Sequence, residues 1–385
     1  MDRECPSYYV EQTEESAPHT EELIKYIRSL SSSKGVFHRT VMKPSESHTR
    51  NSADGSPYVY PVLTPRFAIS TTDKLLEKLR DLADSDLSLT VQTHISENPS
   101  EVKYTKQLFS HLSKPGKPIT YAGVYDHYHL LRDNTVLAHA VHLEEEELKL
   151  VKERESGISH CPTSNFNLTS GVAKVGVLLD RKIKVGSFAS RPLTLFPNLT
   201  TVTQVGLGTD VSGGFSPSIL TAVQHASIAA KVVALTSPTK PSDPDSFASK
   251  PLTIPTLFWL ATLGGAQVCN LQDKIGSLEV GKAFDAIVVN IRNTSTPSSS
   301  PVSPHNLNIW GVRDDEELGL ETRRRKDDIN VENGNARVDM EDKQRLKEEL
   351  DAMLERLLFC GDDRNLRRVY VQGRWIGGTE HRERA

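Results

Sequence analysis

The sequence predicts an α/β protein built on a parallel sheet, and three observations carry that expectation. Between residues 61 and 210, short apolar runs alternate with charged stretches of helical period, the pattern of βαβ units. Two of those runs end on metal-ligand residue types followed by small or polar loop residues. They are Gln92-Thr93-His94-Ile95-Ser96-Glu97-Asn98 and Gly208-Thr209-Asp210-Val211-Ser212-Gly213-Gly214. Strand carboxyl ends are where a parallel α/β barrel displays its chemistry. The third observation is the count of about five strand–helix units, where a closed (β/α)8 barrel of the TIM type requires eight.

Taken in order, Val62 to Ile69 reads as a strand and Asp73 to Leu82 as a helix, with leucines at 75, 76, 79 and 82 on one stripe. Leu87 to Thr93 is the next strand, followed by a helix from about Ser100 to Leu112. Thr135 to Val141 is a strand, Glu144 to Glu155 a charged amphipathic helix, Gly157 to Cys161 a short strand and Val172 to Asp180 a helix. The final strand leads into Gly206–Asp210. The unit spacing implies a sheet covered on both faces. Ser216–Leu235 and Thr253–Leu271 read as helices. From Ile275 to Val289 the period changes to that of a hairpin turning on Gly281, the start of a small β-domain. Glu341–Leu358 is an amphipathic helix, and Arg368–Arg374 a strand returning to that domain. The expected division is a partial barrel over 1–270 and a small β-sandwich segment with the C-terminal helix over 271–385. Within the latter, residues 292–335, rich in Ser, Pro and charge, form a disordered insertion.

A formal charge of −4 and a pI near 6.4 argue against nucleic-acid or membrane-surface binding. The cluster Arg323-Arg324-Arg325-Lys326 runs at once into Asp327 and Asp328. No uninterrupted apolar run approaches the length of a membrane span. Four scattered cysteines without a C-x-x-C pair read as structural thiols in a reducing, cytoplasmic compartment.

A lone histidine at a strand end is more often a packed core residue than a ligand. Here His94 is followed three residues on by Glu97, a carboxylate able to act as acid and base beside a ligating imidazole. His139 closes the next strand, and Asp210 the last. His160, before Cys161-Pro162, is balanced between lining a pocket and packing, and His142 reads as a surface or supporting residue. Arg66 offers a planar fork to a carbonyl oxygen, and Phe67 a face for a ring.

These residues, with Thr64-Pro65-Arg66-Phe67-Ala68-Ile69-Ser70, Val136–His142, His160–Asn165, Leu260–Ala266 and Gly361-Asp362-Asp363-Arg364-Asn365, resemble the amidohydrolase superfamily and within it the guanine deaminases. The resemblance implies a (β/α)8 amidohydrolase barrel carrying one zinc ion per subunit in a homodimer, with guanine as substrate. It assigns metal ligation to His94 and Asp210, catalysis to Glu97, His139 and Asp210, and substrate contacts to Arg66, Phe67, His94, Ile95, Ser96, Glu97 and Asp210. In it, His139 hydrogen-bonds the attacking hydroxide.

Two departures from the family pattern stand out. The His-x-His that supplies two zinc ligands does not precede His94. The sole such spacing, His127-Tyr128-His129, follows it. Met1 aligns with an internal position of the family, so an N-terminal third with its metal ligands is expected upstream. Weak metal binding and no useful activity are expected of these residues alone. Between Lys184 and the Val205-Gly206-Leu207-Gly208 motif, the 20 residues Val185–Gln204 interrupt the family pattern and read as a retained, frame-preserving intron. The rival functional readings are a related aminohydrolase acting on another purine, a pterin or a triazine, and a catalytically inactive isoform serving as a binding subunit.

Overall fold

The computed structural model describes residues 1–32, 57–181, 204–236, 246–248, 250–290 and 340–382. The 292–335 insertion and all but the last residue of the 185–204 insert lie outside the described residues. Two compact units are present, Met1–Ala283 and Phe284–Ala385, so 271–283 belongs with the first.

In the first unit, β1 (Val62–Leu63), β2 (Thr90–Ile95), β3 (Thr135–His139), β4 (Gly157–His160) and β5 (Val205–Leu207) form one parallel sheet in chain order. The register sets Ile95 beside His139, Ala138 beside Ser159, and His160 beside Leu207, so the carboxyl ends align. Every residue of β3 is buried, as expected of a central strand covered on both faces. β2 alternates instead: Val91, Thr93 and Ile95 are buried while Gln92 is exposed, leaving Gln92 and His94 on the less covered face.

Helices join the strands. α1 (Thr13–Ser32) precedes the sheet. α2 (Asp73–Ser85) starts where the Thr72 hydroxyl accepts from the Leu75 amide, and it buries Leu75, Leu76 and Leu79. α3 (Pro99–Leu108) opens on a capping box between Asn98 and Glu101, with Pro99 in the first turn. α4 (Tyr121–His127) and α5 (Glu145–Glu153) meet through Glu147, which is fully buried and accepts the amides of Ala122 and Glu144. Burial holds the Glu147 carboxyl above the ordinary range despite those donors. α6 (Pro162–Asn167), α7 (Val175–Asp180), α8 (Ile219–Thr236), α9 (Ile254–Ala261) and α10 (Leu263–Val268) complete the unit.

Several expectations need correction. The strand read over Val62–Ile69 is only two residues long, because Pro65 cannot donate to a ladder and Ala68–Ser70 coils into a 3-10 turn. The helix read over 253–271 breaks at Thr262, whose φ of −124° and ψ of −97° leave the helical region. α1, α4 and α6 are missed by periodicity. Pro18 sits inside α1, and the other two are too short to show a stripe. α8 is 18 residues long with a mean hydropathy of 1.4, long and apolar enough by composition to cross a membrane. It is nonetheless interrupted by Gln224, His225 and Lys231, and it buries Ala222, Val223, Ala226 and Ala229.

In the second unit, β6 (Ala286–Val289), β7 (Leu366–Val371) and β8 (Arg374–Gly377) make a three-stranded antiparallel sheet, accompanied by α11 (Met340–Cys360) and α12 (Thr379–Arg382). The hairpin expected over 275–289 does not form. Gly281 lies in a turn at φ +96°, and β6 pairs with the distant β7 instead. The hairpin that does form joins β7 to β8 through Gln372 and Gly373, both at positive φ.

Leu137 is completely buried at the centre of the sheet. Leu137→Ala is expected to destabilise the protein by about 2–5 kcal/mol through lost transfer energy and a residual cavity, read as a lower urea midpoint.

Candidate metal centre and catalytic site

The carboxyl ends of β2, β3 and β5 carry backbone that L-residues seldom adopt. Ser96 (φ +49°), His139 (φ +74°), Ala140 (φ +51°) and Asp210 (φ +42°) all lie in the left-handed region. Such positions cost free energy and cluster where function requires them. Their use here is visible in the side chains. Register places His139 beside Ile95, on the opposite face from His94. The left-handed turn at His139–Ala140 interrupts the alternation, and the two imidazoles stack with centroids 5.0 Å apart and planes 22° apart.

Each imidazole is oriented by its Nδ1. The Nδ1–H of His94 donates to the Arg66 carbonyl at 2.5 Å, and that of His139 to Asn165 Oδ1 at 2.9 Å. Both leave Nε2 facing the acids, the arrangement that presents a lone pair to a metal. His94 Nε2 stands 3.8 Å from Asp210 Oδ1, an ion-pair separation rather than a hydrogen bond. His139 Nε2 is 3.9 Å from Glu97 Oε2 and 4.0 Å from Asp210 Oδ2. Ligand atoms of His94, His139 and Asp210 all fall within 4.8 Å of one another.

The neighbouring His94 imidazole holds the Asp210 carboxyl well below the usual aspartate range against the opposing effect of burial, with help from the Ser164 hydroxyl and the His139 ring. Ser164 Oγ lies near the carboxylate but completes no well-angled hydrogen bond. Burial works against a charged His94, yet Asp210 and the Arg66 carbonyl outweigh it and raise the imidazole's pKa.

Glu97 is held at both ends. Its amide, like that of Asn98, donates to Glu101 Oε2, at 2.8 and 3.2 Å, and its Oε1 accepts from Ser170 Oγ at 2.9 Å. The other oxygen of Glu101 accepts the Tyr121 hydroxyl at 2.5 Å. Behind β2, Tyr125 donates to the His94 carbonyl at 2.8 Å. His142 supports Ser170 by donating Nε2–H to its carbonyl at 2.7 Å.

Arg66, Phe67, His94, Glu97, Leu168 and Asp210 line one cavity of about 470 Å³, a size suited to a small-molecule ligand. The Phe67 ring meets His94 edge-on at 6.0 Å, and the Arg66 guanidinium lies 5.8 Å from the Phe67 centroid. Ile95 and Ser96 do not join this lining. Both are fully buried, Ile95 on the helix side of β2, and the Ser96 carbonyl accepts the amides of Val141 and His142. His160 is buried, and burial pushes its pKa down to about 3. Cys161 beside it is an inert thiol, raised to about 12 by burial.

Sequence reasoning gives no role to Asn165, which closes the His160–Asn165 stretch, or to Ser170, Tyr121 and Glu101. Beside that stretch, the Asn98-x-x-Glu101 capping spacing signals Glu101. Gly213 is also required, because a Cβ there would come within 2.3 Å of Asp210 Oδ2.

Ser96 Oγ, His139 Nε2, both ring nitrogens of His160, Ser164 Oγ and Asn165 Nδ2 are buried polar atoms with no protein partner. Unpaired buried groups are rare in folded proteins, and these six lie at or just past the ends of β2–β4. With the nitrogen and carboxylate donors of His94, His139 and Asp210, this environment fits a divalent cation bound through nitrogen and oxygen.

Asp210 is ionised more readily in the folded than in the unfolded chain. Its contribution to stability is therefore present above the ordinary value of 3.8 and lost as pH falls through the lower folded value. In the metal-free protein, Asp210→Asn is expected to flatten the acid limb of stability against pH, measured by urea denaturation between about pH 5 and pH 2.

The Amidohydrolase family model matches residues 20–376. A probable guanine deaminase of Schizosaccharomyces pombe is 35% identical over 381 residues, covering 99% of this chain and 53% of that protein. The guanine deaminase of Homo sapiens is 32% identical, covering 83% of this chain and 53% of its own length. The structure of guanine deaminase from C. acetobutylicum with bound guanine in the active site superposes with a TM-score of 0.61 at 27% identity, covering 98% of this chain and 64% of that one. The chain thus spans roughly half the length of these curated relatives. From the parallel α/β sheet, the His–His–Asp cluster at its carboxyl ends and the match over residues 20–376, the chain belongs to the amidohydrolase family.

Proposed function

We propose that these residues form the catalytic part of a zinc-dependent guanine deaminase, converting guanine and water to xanthine and ammonia. The five parallel strands would be a portion of a (β/α)8 barrel. The observation that carries this reading is the meeting of His94, Glu97 and Asp210 with Arg66 and Phe67 around one cavity, with His139 stacked on His94. The relatives named guanine deaminases support the choice of substrate.

His94 and Asp210 would ligate the zinc, and His139, through its unpaired Nε2, would hydrogen-bond the attacking water. A bound zinc ion supplies Lewis acidity that makes water a nucleophile at neutral pH. Arg66 donates its fork to the guanine carbonyl oxygen, and Phe67 packs against the ring. Asp210, kept ionised by His94, accepts a proton from the attacking water. Glu97, steadied by Ser170 and Glu101, shuttles the two protons lost by the water, the first to a ring nitrogen and the second to the departing amine.

Guanine binding by calorimetry tests this assignment in the chain itself, and xanthine formation tests it in a zinc-loaded form that also carries the family's His-x-His. Preferential binding of a pterin or triazine would overturn it. In a form that also carries the family's His-x-His, Glu97→Gln is expected to retain zinc while lowering turnover by about 10²–10⁴-fold. Arg66→Ala is expected to weaken guanine binding on the order of 10- to 100-fold, the loss of a charge-assisted hydrogen bond, with zinc content unchanged.

A further inference from the structure

Arg66 and Phe67 give the cavity its cation and its aromatic face, and the turn behind them is held by residues 2 and 3. On one side, the Arg66 carbonyl accepts both the amide and the Nδ1–H of His94. On the other, the Phe67 carbonyl accepts the Ser70 amide at 3.0 Å, the Ser70 hydroxyl at 3.0 Å and the Thr71 hydroxyl at 3.3 Å. These bonds close the 3-10 turn Ala68–Ser70. The Asp2 amide donates to the Ser70 carbonyl at 3.1 Å, and Arg3 Nη2 to the Ala68 carbonyl at 3.2 Å. Asp2 Oδ1 accepts the Thr72 amide at 2.8 Å, while Oδ2 accepts the hydroxyls of Thr72 and of Thr13 in α1. The Arg3 guanidinium lies 4.8 Å from the ring centroid of Phe109, a fully buried residue at the end of α3.

We propose that Asp2 is a positioning residue for substrate recognition, anchoring the Phe67–Thr72 turn so that the Arg66 fork meets the 6-oxygen of guanine. The inference rests on the reading that this cavity takes guanine. The Arg66 guanidinium rests against the Phe67 ring at 5.8 Å, and no carboxylate among the described residues pairs with it. Backbone placement therefore decides where its fork lies. Ala68, Ser70 and Thr71 are at most 1% exposed, so bulk water does not replace the partners that hold the turn. Three donors converge on Asp2. A carboxylate only accepts, so it serves all three at once, and its charge strengthens each bond.

The test uses the full chain and compares guanine with 2-aminopurine, the same ring system without the 6-oxygen. By calorimetry, Asp2→Ala is expected to weaken guanine binding about 5- to 10-fold and to leave 2-aminopurine binding unchanged. Combined with Arg66→Ala, it is expected to add no further loss, because both changes remove one interaction. Equal weakening of both purines would mark Asp2 as a cap for α2 alone and overturn the proposal, as would additive losses in the double variant. Should Asp2→Ala fail to fold, Asp2→Asn keeps an oxygen for the Thr72 amide, and the same selective pattern is expected with a smaller loss. Failure of the wild-type chain to bind guanine would count against the guanine reading instead. Hydrogen exchange then decides the role of Asp2. Exchange at the Ser70 and Thr71 amides is expected to quicken in the Asp2 variant relative to amides of β3, and unchanged exchange overturns the proposal.

Discussion

The site depends on keeping one carboxylate charged in a partly buried place. Asp210 loses hydration where β5 ends, and burial alone would raise the pKa of a carboxyl in that position. The imidazole of His94 reverses that outcome. His94 is in turn fixed from behind, through Nδ1 to the Arg66 carbonyl and through its own carbonyl to Tyr125. Arg66 thus serves twice, with its backbone orienting the His94 imidazole and its guanidinium lining the cavity.

The parallel sheet makes this arrangement possible by delivering the ends of sequence-distant strands to one edge. Alignment alone is not sufficient, because strand alternation would separate His94 from His139. The left-handed residues at the ends of β2, β3 and β5 supply what the ladder cannot, at a cost in local conformational energy that the surrounding packing sustains. The same geometry makes Gly213 necessary, since the loop after Asp210 returns close against its carboxylate.

The legible parts of the sequence are those with a one-dimensional signature. His94, Glu97, His139 and Asp210 stand at or just past the ends of apolar runs, and Arg66-Phe67 follows a proline. All of them prove to be neighbours at one end of the sheet. Less legible are features set by backbone direction. Nothing in His139-Ala140 announces a left-handed turn, because neither residue is Gly or Asn. Asn165 and Ser170 lie in a stretch too short for periodicity, and their partners are 26 and 73 residues away in sequence. The misread hairpin around Gly281 fails for a related reason, since β6 finds its partner in β7, far along the chain. Ile95 illustrates the limit of motif transfer: it belongs to the His94 motif, yet alternation turns it into the core.

The double role of Glu101 carries one more consequence. Its carboxylate is both the reciprocal half of the α3 capping box and the acceptor for the Glu97 amide. The first turn of α3 and the backbone seat of Glu97 are therefore one cooperative element. Fraying of that helix end, an event of modest free energy at most helix termini, would release the Glu97 backbone and leave its side chain held by Ser170 alone, with the sheet and His94 in place. Hydrogen exchange at the Glu97 and Asn98 amides thereby becomes a direct gauge of how often the site is assembled, independent of any chemistry performed in it.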